Sequence, residues 1–164
     1  MKRGRGEDGE GGEKREEKKK EASRRLRDAC KVGDVGGVKE AIKDGADVDA
    51  FEEDDEKGQR WPALFPLYLA AVKGKSEEAV KVLLDAGCDV NQVNIYGSTA
   101  LHRVLSRRGK TSIVEALLRG GASPNVADKN GDTPCHYAKT AEAVELLLNF
   151  GADPRIKNKP GDTP

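Results

Sequence analysis

Apolar residues fall into four similar blocks between residues 23 and 156, separated by polar segments rich in Gly, Asp and Asn. Each block contains a short apolar stretch, a glycine or shortened link, and a longer apolar stretch that ends at a glycine. The clearest copies start at Thr99 and Thr133, about 34 residues apart. This period is typical of stacked helical units that bury a continuous core between neighbours. We therefore predict four helix-turn-helix units, at about residues 23–50, 61–92, 93–126 and 127–156.

Residue types also predict where the helices start and end. A Thr or Ser before Pro or Ala should start the first helix of a unit, because a hydroxyl caps free N–H groups and Pro fits the first turn. The glycine after each second helix should end that helix in a left-handed conformation. The Asp- and Asn-rich residues that follow should form a projecting turn.

These motifs resemble those of the ankyrin repeat family. Residues 65–71, 99–102 and 133–136 resemble its Thr-Pro-Leu-His-x-Ala-Ala helix start. Its Gly-Ala-Asp-Val-Asn-like endings recur at residues 45–49, 87–91, 121–125 and 151–154. The resemblance covers roughly residues 23–164 and implies an all-α solenoid of about four units with β-hairpin-like loops. It also implies that His102 and His136 bond to the Thr hydroxyl and the neighbouring backbone, rather than acting as catalytic or metal-binding groups.

The chain departs from a regular array in three regions. Gly45 and Gly87 lie about 42 residues apart, against ~33 for a regular unit, so we expect an insertion at residues 51–60. Its acidic run at 52–56 would form a solvated finger loop or attract a basic partner. The fourth unit is short between its helices. Residues 157–164 start a further unit without its helices, which indicates a fragment or truncated product with exposed apolar surface around residues 144–148.

Residues 1–22 mix basic and acidic side chains and lack an apolar pattern. We predict a disordered tail, or alternatively a helix from about Glu13 that is supported by i,i+4 Glu/Lys pairs. The basic run at residues 14–25 could serve nuclear import or contact nucleic acid. Because Glu16, Glu17 and Glu21 cancel much of its field, a solvated mixed-charge segment is favoured.

Composition argues against several kinds of chemistry. The chain has no net charge, which gives no electrostatic case for nucleic-acid binding by the whole molecule. Its three cysteines form no Cys-x-x-Cys pair, so we predict neither zinc nor disulfides, and a reducing intracellular location, cytoplasmic or nuclear. Cys30 and Cys135 should be buried packing residues, and Cys88 partly exposed. We predict no enzymatic activity, no cofactor, and no membrane span or signal peptide.

The resemblance places binding on the hairpin tips and the exposed face of each first helix. Trp61 and Tyr96 precede two helix starts, and Trp and Tyr are preferred interface anchors. Packing of the insertion is the alternative for Trp61. The same surface is predicted to include Leu64, Ser98, Ser106, Arg107, Asn130 and Asp132. Asn91 and Asn125 resemble sites of asparaginyl hydroxylation in ankyrin repeats, but a turn-forming Asn that bonds its own backbone is favoured.

We therefore predict a monomeric array that acts as an adaptor or scaffold and binds another protein. A non-catalytic repeat domain of a longer enzyme, which recruits the enzyme's substrate, is the alternative. A third class, nucleic-acid association through the tail, predicts binding that weakens steeply with salt and is lost on deletion of residues 1–22.

Overall fold

The computed structural model describes residues 8–50 and 64–164, with side chains from residue 12 onward. The acidic insertion and Trp61 therefore lie outside the described residues. The helices are α1 (Asp8–Val32), α2 (Val35–Lys43), α3 (Pro66–Tyr68), which continues as a π-helical segment (Leu69–Gly74), α4 (Glu77–Asp85), α5 (Ala100–Ser106), α6 (Thr111–Arg119), α7 (Pro134–Tyr137) and α8 (Ala141–Asn149).

The helices form two stacked layers. The inner layer holds α1, α3 with its π-helical segment, α5 and α7, and the outer layer holds α2, α4, α6 and α8. Each inner helix pairs with the outer helix that follows it, and neighbours within each layer pack side by side. No β-strand occurs in residues 8–50 or 64–164. The predicted all-α solenoid of helix-turn-helix units is confirmed.

The N-terminal segment follows the helical alternative. Residues 8–22 belong to α1, so disorder does not extend to residue 22. The helix is anchored at its repeat end, where Ala22 is fully buried and Lys19 pairs with Asp47 at 3.3 Å. The Ser23 hydroxyl donates to the Lys19 carbonyl and accepts from the Asp47 N–H. The composition of residues 8–22 allows a helix but does not require one. Packing of the helix against the first unit stabilises it.

The glycines that end the outer helices are left-handed, as predicted. Gly45, Gly87, Gly121 and Gly151 have φ between 81° and 92°. The next residue donates its N–H to the carbonyl five positions back, as Ala122 does to Leu117 at 3.0 Å. This is the bond of a Schellman motif, and a positive φ favours glycine because it has no Cβ.

All three thiols are buried. The burial of Cys30 and Cys135 is confirmed, but partial exposure of Cys88 is wrong, since only 9% of Cys88 is exposed. The Cys88 N–H bonds to the Leu83 carbonyl at 3.2 Å, which folds the residue back onto the end of α4. Burial is the main cause that raises the pKa of the Cys30 and Cys88 thiols to about 12. It also raises the pKa of Cys135.

These pKa values predict unreactive thiols in the folded protein. At mildly alkaline pH we expect slow labelling by Ellman's reagent, because the thiolate is the attacking form and little of it exists. In concentrated guanidinium chloride all three cysteines should label rapidly. A native thiol that labels as fast as an unfolded one would contradict the burial.

Candidate functional site

The two histidines are fully engaged in structural hydrogen bonds. His102 Nδ1 accepts from the Thr99 N–H at 3.1 Å and lies 2.9 Å from the Thr99 hydroxyl. Its Nε2 lies 3.2 Å from the Asp132 carbonyl oxygen, which can only accept. The network therefore assigns the proton to Nε2. His136 makes the same bonds with Thr133 and with the Asp162 carbonyl, at 3.1 Å in the latter case.

This arrangement bears out the role implied for the histidines and leaves no nitrogen for catalysis or metal binding. Burial lowers the pKa of His102, although the Asp132 carbonyl and the Asp128 carboxylate act in the opposite direction. In the part of the chain that is described, no group of three or more His, Cys, Asp or Glu side chains could hold a metal ion. None of the described helices is long and apolar enough to cross a bilayer.

The turns between units form a connected row. The Lys129 N–H bonds to the Tyr96 carbonyl at 3.0 Å, and the Lys159 N–H bonds to the Asn130 carbonyl at 2.9 Å. Within one turn, the Asn94 side chain accepts from the Tyr96 and Ser98 N–H groups. Backbone bonds thus hold successive hairpin-like turns in register as one continuous surface.

Asn91 and Asn125 join neighbouring units. The Asn91 Oδ1 accepts from the Ser123 N–H at 2.8 Å, and its Nδ2 donates to the Gly121 carbonyl at 3.2 Å. Asn125 repeats both bonds with Asp153 and Gly151 in the next unit. The favoured expectation, a side chain that bonds its own backbone, is therefore wrong, because the neighbouring loop lies within reach of the amide.

One turn carries three exposed apolar side chains, which we call the hairpin patch. It consists of Val93, Ile95 and Tyr96, whose exposed fractions are 48%, 48% and 57%. The exposure expected for Tyr96 is confirmed. Sequence reasoning missed Val93 and Ile95, although the alternation of apolar residues around the buried Asn94 is a signal that could have revealed them.

The other candidate residues divide by exposure. Asn130 and Arg107 are exposed, whereas Leu64 is half-buried against the core. Ser106 is half-buried, and its hydroxyl donates to the Arg103 carbonyl at 3.0 Å.

Two of the candidates are structural instead. Ser98 is only 5% exposed, so its place on an accessible surface is wrong. Its N–H bonds to the Asn94 side chain, which turns the chain into the helix start. Asp132 is half-buried, with one carboxylate oxygen accepting from the Asn158 amide at 2.8 Å. The Tyr137 hydroxyl, which donates to Asp128 at 2.8 Å, also reaches Asp132.

The exposed apolar surface expected at the last outer helix is confirmed. Val144 is 36% exposed and Leu148 is 44% exposed on α8, and Phe150, directly after this helix, is 37% exposed. Val144 and Leu148 therefore belong to the outer layer of helices.

Comparisons with known proteins agree with the fold. A family model described as ankyrin repeats in three copies matches residues 26–126 and 67–158. The ankyrin repeat protein nuc-2 of Neurospora crassa is 34% identical over 66% of this chain and 9% of its own length. The B-cell lymphoma 3 protein homolog of Mus musculus is 34% identical over 66% of this chain and 23% of its own. The human 2-5A-dependent ribonuclease is 41% identical over 48% of this chain and 10% of its own.

The chain thus spans less than a quarter of the length of each of these relatives. Repeat arrays of this kind generally mediate contacts between proteins. The stacked helix pairs, the His–Thr helix starts and the match over residues 26–158 lead to one conclusion. This chain belongs to the ankyrin repeat family.

Proposed function

We propose that this chain is a protein-recognition module that binds a partner protein through its row of turns and inner helices. The hairpin patch is the centre of the contact. The observation that carries the proposal is its composition: three of the seven exposed large apolar side chains in the described residues lie within positions 93–96. An exposed apolar cluster on a rigid support is the usual form of an interface core.

Polar neighbours supply a rim for this core. Because Lys129 bonds to the Tyr96 carbonyl, the exposed Asn130 follows directly on the adjacent turn. Tyr96, once buried against the partner, would contribute most of the affinity as an aromatic anchor. The polar rim would set specificity. Trp61 remains a proposed second anchor, and hydroxylation of Asn91 or Asn125 remains a proposal.

Comparative capture with the whole chain tests the hairpin patch. We expect the double variant Ile95→Ser/Tyr96→Ala to lose proteins that the parent retains, with an unchanged helical circular dichroism spectrum. The matched control, Val144→Ala/Leu148→Ser, removes exposed apolar surface from the outer layer and should retain them. Equal capture by both double variants and the parent would remove the hairpin patch as the binding site.

A second candidate is a substrate-recruiting repeat domain within a longer enzyme. It is favoured by two relatives that are enzymes by name, the human ribonuclease and the Arabidopsis thaliana E3 ubiquitin-protein ligase KEG. The chain spans only 10% and 4% of their lengths. Immunoprecipitation with an antibody raised against residues 64–164, followed by peptide mass spectrometry of the native product, would decide between the candidates. Peptides of a catalytic domain joined to this chain would favour the second candidate, and a product without them would favour the first.

A further inference from the structure

The turns between inner and outer helices carry a second unusual surface at the opposite ends of the inner helices. Four exposed cations gather there from two neighbouring units: Lys75, Arg107, Arg108 and Lys110. They line a groove of about 460 Å³. We call this the basic groove.

The floor of the basic groove is apolar. Ala71 and Val72 come from the π-helical segment and Val104 comes from α5. All three are buried, with at most 6% of their surface exposed. A ligand that lies in the groove would therefore contact small aliphatic groups below and positive charges at the rim.

Two of the rim cations occupy a backbone conformation that disfavours them. Lys75 has φ 48° and Arg108 has φ 52°, and they are the only non-glycine residues with positive φ among the described residues. A side chain in this conformation costs roughly 1 kcal/mol relative to glycine. A glycine stands directly beside each of them, at Gly74 and Gly109. Both rim positions thus carry a cationic residue, although glycine would be less strained there.

The charge of the basic groove is largely uncompensated. Among the described residues, no carboxylate forms an ion pair with Lys75, Arg107 or Arg108. The nearby Glu77 forms its ion pair with Lys81. Its interaction with Lys110 is a weaker electrostatic attraction without an ion pair. The described residues that line the groove thus carry four positive charges and no negative charge, although the whole chain has no net charge.

We propose that the basic groove binds an acidic segment of a partner protein that inserts an apolar side chain between the cations. Strained residues that persist on a surface are a recognised mark of function, and both lie here. Among the described residues that line the groove there is no aromatic ring on which a nucleotide base could stack, which disfavours nucleic acid. None of the described residues at its rim is a large exposed apolar side chain, which disfavours a bilayer surface.

This inference rests on the proposed function, since its occupant is a protein, but it uses a different place. The inner helix α5 has seven residues, a length of about 10 Å at 1.5 Å per residue, and it separates the basic groove from the turns. One partner could therefore span them with a folded contact at the hairpin patch and an acidic segment in the groove.

A defined probe tests the groove without the natural partner. The probe is a fluorescein-labelled peptide of about ten Glu and Asp residues around one Leu, with fluorescence anisotropy measured on the whole chain at about 50 mM salt. We expect saturable binding that weakens with salt, and weaker binding when the Leu is replaced by Glu. The amide NMR signals of Val72, Lys75 and Gly109 should shift most.

The decisive variant is Lys75→Gly/Arg108→Gly. It removes two charges and also relieves two strained positions, so the melting temperature should stay level or rise while the peptide binds about tenfold more weakly. The control Lys129→Gln/Lys157→Gln removes two exposed cations elsewhere and should bind as the parent does. Equal loss in both variants, or no binding by the parent, would overturn the proposal.

The same assay tests other ligands of the basic groove and distinguishes the groove from the hairpin patch. Tighter binding of a uridine decanucleotide, or of phosphatidylserine vesicles, than of the peptide would assign the groove to those ligands and overturn the proposal. The variant Ile95→Ser/Tyr96→Ala should bind the peptide unchanged. Its failure to lose captured proteins would count against the hairpin patch alone.

Discussion

Replacing Gly74 with alanine is expected to destabilise the protein by about 3 kcal/mol, as a forced overpacking of closely spaced backbones. A Cβ at this position would collide with the Cys30 carbonyl and would lie 2.9 Å from the Gly33 nitrogen. Both obstacles are backbone atoms at the end of α1, so no side-chain rotation can relieve them. The two inner-layer helices would have to move apart.

The same substitution at Gly36 is the matched control. Gly36 is exposed in α2, and an added Cβ would meet only an ordinary contact with the Asp34 carboxylate at 3.4 Å. There we expect alanine to stabilise the protein by about 0.5 kcal/mol, because glycine loses more backbone entropy in a helix. Urea denaturation followed by circular dichroism measures both variants. A shift of the same sign and size in both would contradict the close approach at Gly74.

Replacing His102 with alanine is expected to cost about 3 kcal/mol near neutral pH. The side chain is 1% exposed, so its removal leaves a cavity. It also leaves the Thr99 N–H and the Asp132 carbonyl without their imidazole partner. The second of these bonds crosses to the next unit, so the variant should also weaken the coupling between units.

The pH dependence of this effect has a definite sign. Because burial lowers the folded pKa of His102 below its ordinary 6.5, the unfolded chain binds the proton more tightly. Stability linked to His102 is therefore complete above about pH 6.5 and is lost as the pH falls through the folded pKa. The destabilisation caused by His102→Ala should be smaller near pH 5.5 than near pH 7.5.

The variant His102→Gln separates the two bonds. A Gln at the third helical position can still accept from the Thr99 N–H, as in a capping box, but lacks the reach and shape to bond Asp132. We expect stability between that of the parent and that of the alanine variant, without the loss between about pH 7.5 and 5.5 that is linked to His102. If the parent and the glutamine variant lose stability equally over this range, the pH dependence lies in other groups.

The elements that could be predicted depend on residues close together in the chain. Thr99 and His102 are three positions apart, and their capping box forms within one helical turn. A left-handed glycine after each outer helix is likewise a local requirement. The period of the repeat then implies the stacking, because an isolated helix pair cannot bury its own apolar face.

The features that could not be predicted depend on contacts between residues of different units. The amide of Asn91 finds its partners at Gly121 and Ser123, about 30 positions along the chain. Ile95 is exposed for the same kind of reason, since the position of the neighbouring unit decides which side of a turn it covers. The strained conformations of Lys75 and Arg108 have no counterpart in residue preferences, which favour glycine there.

By itself, the sequence determined the helix starts at Thr99 and Thr133 and the glycine helix ends, because these follow from hydrogen bonding within a few residues. Its repeat period determined that the helix pairs stack. Only the tertiary structure decided which side chains remain for a partner. The spacing between stacked units covers Ser98, leaves Asp132 half-buried and the hairpin patch open, and brings cations from two units to one groove. Accessibility and charge density depend on contacts between distant segments, and no local pattern contains them.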